Sequence, residues 1–194
     1  MVELALAEIG VGYEFIRTGT GKGAKNSDPY LAINPTGKLP ALQTPEGEIL
    51  TESAAILLTL AERHPEAGLL PRRRGPARAW AIRWTVFVTA EIYPMIEIVD
   101  YPERFGEKAA AETLRDRAQA RIRRRWLTVE AAITGNPWMG ARGPSVADLS
   151  IANVSRWSAG KRWRQENCPR IDAIADALSH RDSTRVVWRT HFGA

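Results

Sequence analysis

The sequence predicts an α/β first third joined to an all-helical remainder, and three observations carry that prediction. Two short apolar runs, Ala41-Leu42 and Ile49-Leu50, flank a Pro45-Glu46-Gly47-Glu48 turn, the pattern of a small hairpin. A segment rich in proline and arginine and without periodicity, Leu69 to Pro76, follows. Beyond it, apolar residues recur at spacings of three and four. The expected organisation is a sheet-containing domain over residues 1–70, a linker over 71–76 and a helical domain over 77–194.

Taken in order, Leu4, Leu6, Ala7 and Ile9 among Glu3 and Glu8 suggest a short helix that Gly10 and Gly12 stop. Tyr13-Glu14-Phe15-Ile16 alternates polar and apolar residues and reads as a strand. The glycine-rich loop Thr18 to Ser27 contains GTGKGAK but lacks the spacing of a phosphate loop. Asp28 to Ile33 reads as a turn of helix before the Asn34-Pro35 break. After the hairpin, Ser53 to His64 is apolar nearly all round and should be covered on more than one side. Ala77 to Val99 predicts one long helix kinked at Pro94. Glu107 to Thr134 predicts a second, closed by Gly135-Asn136-Pro137, and Pro169 to Leu178 and Thr184 to Phe192 predict two short ones. Trp126, Trp138, Trp157 and Trp163 are expected in the helical core or at its rim.

With 194 residues, 44% apolar and 25% charged, the chain has the composition of an ordinary soluble globule. No apolar run approaches the roughly 20 residues of a membrane span, and Met1-Val2-Glu3-Leu4 lacks the order of a signal peptide, so a cytoplasmic location without membrane attachment is expected. Cys168, the single cysteine, precludes an internal disulfide and fits a structural position before Pro169. The net charge of +5 raises the question of nucleic acid, but the arginines of the Arg121–Arg125 run wrap around a helix instead of forming a stripe. A solvated linker and polar face explain both arginine runs, and no nucleic-acid partner is expected. His64, His180 and His191 share no metal-ligand spacing, so no metal is expected.

The stretch Asn34 to Ser53, NPTGKLPALQTPEGEILTES, carries the most chemistry. Pro40, between a turn and a strand that must still pair, suits a cis peptide and leaves the backbone of Leu39 free on one edge. Such an edge can pair with an extended peptide. Glu52 and Ser53, opening a helix, offer a carboxylate, a hydroxyl and free N–H groups, which suit an ammonium and an anion on one ligand.

NPTGKLPAL followed by TESAAI, together with GPSVADLSIA from Gly143 to Ala152, resembles the glutathione transferase family over almost the whole chain. The resemblance implies a thioredoxin-like N-terminal domain plus an all-α C-terminal domain, the glutathione transferase fold. It implies glutathione as co-substrate: Leu39 before Pro40 pairing with the cysteinyl part, Glu52 and Ser53 holding the γ-glutamyl end, and Lys38 meeting the glycine carboxylate. The activity implied is conjugation of the glutathione thiolate to a small apolar electrophile, or a related glutathione-dependent reaction of the detoxification type, in a two-fold homodimer. The alternative is a catalytically inactive binding or interaction protein on the same fold.

Family members place the sulfur-activating tyrosine, serine or cysteine near the first strand, whereas Leu4 to Gly10 matches the later part of the family's first helix. The expectation is therefore that the first strand and the usual catalytic position are missing. The sheet is then expected to rearrange, to be completed by another segment or subunit, or to belong to a longer natural protein. Tyr93, on the first long helix after the linker, is the candidate donor to the sulfur among residues present, ahead of Tyr13. Ser145-Val146-Ala147-Asp148 reads as a capping box that serves folding, and Asp148→Ala should cost about 1 kcal/mol or more.

Overall fold

Thr44 and Gly47 close the expected hairpin: Gly47 donates its N–H to the Thr44 carbonyl at 2.9 Å with φ 89°, a conformation that favours glycine. The flanking strands β1 (Ala41–Gln43) and β2 (Ile49–Thr51) pair antiparallel with Leu42 opposite Leu50. The computed structural model describes residues 1–18, 28–140 and 142–193. Before the hairpin lie α1 (Val2–Ile9) and α2 (Asp28–Ile33), and directly after it α3 (Ser53–Arg63). From there the chain is helical: α4 (Pro76–Phe87), α5 (Tyr93–Asp100), α6 (Ala111–Ala132), α7 (Val146–Ser158), α8 (Lys161–Asn167), α9 (Pro169–His180) and α10 (Arg185–Phe192). Most of the glycine-rich loop from Thr18 to Ser27, and with it the phosphate-loop reading, lies outside the described residues.

The strand expected at Tyr13-Glu14-Phe15-Ile16 does not form; residues 11–18 have no regular secondary structure. Strand β1 pairs only with β2 among the described residues, so this segment has no ladder to join. Alternation alone cannot hold a strand whose N–H and C=O groups find no neighbour. Tyr13, Phe15 and Ile16 consequently stand in solvent, Ile16 at 73% exposure.

Helix α1 buries Val2, Leu4, Ala5 and Leu6 and stops at Gly10, whose φ of 78° lets its N–H turn back to the Leu6 carbonyl at 2.9 Å. It packs against α3 on one side and α7 and α10 on the other. Its Glu8 carboxylate accepts from Arg181 Nε (2.7 Å), Arg181 Nη2 (2.8 Å) and Ser183 Oγ (2.6 Å). One turn earlier Glu3 pairs with His191 of α10.

The long helix expected from Ala77 to Val99 is continuous but interrupted. Residues Val88–Ile92 form a π turn between α4 and α5, with the Tyr93 N–H donating to the Val88 carbonyl. Pro94 supplies no N–H in the first turn of α5, so the hydrogen-bond register slips by one residue ahead of it. The second long helix starts later than expected, at Ala111, after a 3-10 turn at Lys108–Ala110. It buries Ala118, Ile122, Trp126 and Val129 along one face. Trp126 is 1% exposed and donates to Ser158 Oγ at 2.8 Å.

Helix α7 is the axis of this half: residues Val146 to Ser155 are all buried. The capping box at its start is present, and Asp148 does more than cap. Its buried carboxylate accepts from Ser145 N (2.8 Å), Ser145 Oγ (2.7 Å) and Met139 N (2.6 Å), tying the incoming loop to the helix. That loop is tight at Gly135, where a Cβ would lie 1.9 Å from the Gly140 carbonyl oxygen. Helix α8, too short and polar for its periodicity to register, is held by Arg164, whose Nε meets Asp172 at 2.5 Å and whose Nη1 meets the Ser155 carbonyl at 3.1 Å. Cys168 is fully buried and burial pushes its thiol up to about 12, so it is a packing residue without thiolate reactivity. No helix among the described residues is long and apolar enough to cross a membrane.

Candidate functional site

The loop before Pro40 is built by side chains whose role the sequence did not disclose. Asn34 is 3% exposed; its Oδ1 accepts from Thr36 N at 3.1 Å and Thr36 Oγ at 2.8 Å. Its Nδ2 and the Tyr30 hydroxyl both donate to the Lys38 carbonyl, each at 2.6 Å. Asn34 thus fixes the turn from inside. The chain emerges with Leu39 half exposed and the Leu39–Pro40 bond cis, as expected from the proline's place between turn and strand.

Helix α3 begins beside this loop. Glu52 precedes it with φ 62°, the sole non-glycine residue in the left-handed region among those described. Holding it there costs on the order of 1–3 kcal/mol, strain that collects where geometry is set by function. No side chain caps the helix, so its first N–H groups remain available at the positive end of the dipole. Ser53, the first helical residue, is 6% exposed.

Leu39, Pro40 and Ser53 line one cavity of about 300 Å³, and Tyr93 of α5 lines the same cavity from the helical half. Four of the residues singled out in the sequence therefore meet. Lys38 and Glu52 are not part of the lining. Lys38 instead reaches across to Glu97 of α5, Nζ to Oε2 at 3.1 Å. Glu97 also accepts from Arg104 at 3.0 Å, and the hydrogen bonds from Lys38 and Arg104 hold its carboxyl below the usual range.

The rest of the wall was missed. Asn153 and Trp157 sit four residues apart on α7 and so share a face, and Phe192 and Val187 close the cavity from α10. Trp157 is half exposed, its ring centroid 5.8 Å from that of Tyr93 and 6.4 Å from that of Phe192. The expectation of Trp157 at the core rim accounts for its helix but not for its face. His191, expected in a charge or capping role near the chain end, pairs with Glu3 at the cavity edge. The i, i+4 repeats Asn153/Trp157 and Val187/His191 were the available signal. Burial pushes the Tyr93 phenol above its ordinary value, so it stays a neutral hydroxyl donor through neutral pH. Among the described residues, no three histidine, cysteine or carboxylate side chains gather as metal ligands.

The arrangement can bind an extended polar ligand along the Leu39 edge and the α3 terminus, beside an aromatic chamber. Residues 1–68 match the family model described as glutathione S-transferase, N-terminal domain. A maleylacetoacetate isomerase of Pseudomonas aeruginosa is 32% identical over 192 residues, covering 92% of this chain and 85% of that protein. An Escherichia coli K12 protein called an uncharacterized GST-like protein, YncG, is 28% identical over 91% of this chain and 85% of its own length. Among solved structures, a glutathione transferase homolog from Sulfitobacter with bound glutathione superposes with a TM-score of 0.88 at 25% identity, covering 97% of this chain and 91% of that one.

Proposed function

This chain belongs to the glutathione S-transferase family, and from that premise we propose that it binds glutathione along Leu39, Pro40 and Ser53 and conjugates its thiolate to a small electrophile held in the aromatic chamber. The observation that supports this reading is the meeting of Leu39, cis-Pro40, Ser53 and Tyr93 around one cavity. The backbone of Leu39 pairs with the cysteinyl unit. Ser53 and the uncapped N–H groups of α3 take the γ-glutamyl carboxylate, and Glu52 takes its ammonium. Lys38 exchanges Glu97 for the glycine carboxylate.

Chemistry then needs the thiol, with an ordinary pKa of about 8.5, as its thiolate. The thiol gives its proton to solvent, and Tyr93, kept neutral by burial, donates a hydrogen bond from its hydroxyl to the sulfur and favours the anion. The sulfur lone pair forms the new C–S bond, and the electrophile expels its leaving group or takes a proton at the adjacent carbon. Calorimetry with glutathione tests the binding half: a Kd that rises about tenfold in Ser53→Ala is expected, about 1.4 kcal/mol, and absence of binding by the parent protein refutes it. Turnover with an activated aryl halide tests the rest. A Tyr93→Phe variant should lose about tenfold or more in kcat, and unaltered turnover dismisses Tyr93 as the donor. The homodimer expected from the family is checked by sedimentation velocity.

A further inference from the structure

The buried serines of α7 are satisfied from within the protein, but among the described residues two side chains of this helix keep a buried atom without a partner: Arg156 at Nε, although its guanidinium pairs with Asp172, and Asn153. Ser150 donates to the Val146 carbonyl, Ser155 to that of Ala152 and Ser158 to that of Val154. Asn153 is 5% exposed, yet its Oδ1 is buried with no hydrogen-bond partner among the described residues. Such a group is costly unless something completes it. Asn153 lines the cavity, on the same helical face as Trp157, and Tyr93 lines the same cavity. That cavity carries the rings of Tyr93, Trp157 and Phe192 together with the polar Glu3, Ser53 and His191, and Asn153 is the single carboxamide of that lining.

We infer that Asn153 is a specificity-determining contact for the second substrate, and that this substrate is a flat aromatic molecule bearing one neutral hydrogen-bonding group, a hydroxyl, and not a wholly apolar one. The inference rests on reading the chamber as the second-substrate pocket, and it narrows that substrate's class. A carboxamide offers both an acceptor and two donors, and rotation about its last torsion presents either end. A hydroxyl satisfies both ends, whereas a methyl group of the same size leaves the amide orphaned. Sites with a buried polar group discriminate strongly against analogues that leave it unpaired.

The test compares 2-naphthol with 2-methylnaphthalene by equilibrium dialysis, on the parent protein and on Asn153→Leu, with glutathione calorimetry on both. The parent should bind the naphthol at least tenfold more tightly relative to the methyl analogue than Asn153→Leu does. Should the leucine variant melt early, Asn153→Ala replaces it with the same expectation, while Asn153→Ser should retain part of the preference. Equal selectivity in parent and variants overturns the inference. Glutathione binding without the selectivity overturns it and leaves the transferase reading standing. Selectivity without glutathione binding overturns the transferase reading and, since no second substrate then exists, the inference with it.

Discussion

Ile122 on α6 is fully buried, while Ile16, before β1, is 73% exposed. The two differ in what their neighbours supply, not in chemistry. Around α7 each helix meets another and buried polar groups close on one another: Asp148 on Ser145 and Met139, Trp126 on Ser158, Arg164 on Asp172. In the first third the two-stranded sheet pairs only with itself among the described residues, and Tyr13, Phe15 and Ile16 stay exposed although Phe15 borders the cavity. Apolar pattern commits a segment to burial only where a second surface exists to receive it.

Substitutions sharpen that contrast. Asp148→Ala leaves three donors facing a buried gap and should destabilise by about 4 kcal/mol, read from the urea midpoint. A cost under about 1 kcal/mol would mean that the Met139 loop stands without it. Ile122→Ala should cost about 3 kcal/mol, because the packed face of α6 cannot collapse into the space left. Glu52→Gly has the opposite sign: relieving a φ of 62° should raise stability by about 1 kcal/mol while weakening glutathione binding. If the variant melts lower, the backbone there is not strained.

Smaller effects follow at the junction of the halves. Glu97 has its pKa depressed, so its pairing with Lys38 is fully present above the ordinary carboxylate value of 4.5 and is lost as pH falls through the lowered one. Since the Lys38 side chain is 61% exposed, the pair should contribute about 0.5 kcal/mol, measured as a coupling in a Lys38→Met, Glu97→Gln cycle at pH 7 and vanishing in acid. Smallest of all, Ile16→Ser should change stability by less than about 0.5 kcal/mol. A larger loss would show that this segment has a partner in solution, which would break the comparison outright.

Much of the architecture was legible because local rules sufficed. Gly10, Gly47 and the Ser145–Asp148 box announce ends and turns whose geometry depends on a few adjacent residues. The strand at Tyr13 failed because a ladder is a property of two segments, and alternation reports on one. Pro94 was visible, but whether a proline bends a helix or shifts its register into a π turn depends on packing. At the site, Leu39, Pro40 and Ser53 could be read because they lie within one short stretch. Asn153, Val187 and Phe192 could not, since they reach the cavity only after α5, α7 and α10 have been stacked with α1 and α3.

The Glu8 carboxylate and the Arg181–Ser183 corner it grips are up to 175 positions apart, so one cluster of hydrogen bonds joins the two far ends of the chain into a ring. Closing so long a ring requires both ends to be in place, which puts α1 among the late arrivals in folding. Its amides should then exchange with deuterium in step with those of α10, not with those of the hairpin that follows α1 in sequence. Loosening the last helix would in that case be felt first at the opposite end of the polypeptide.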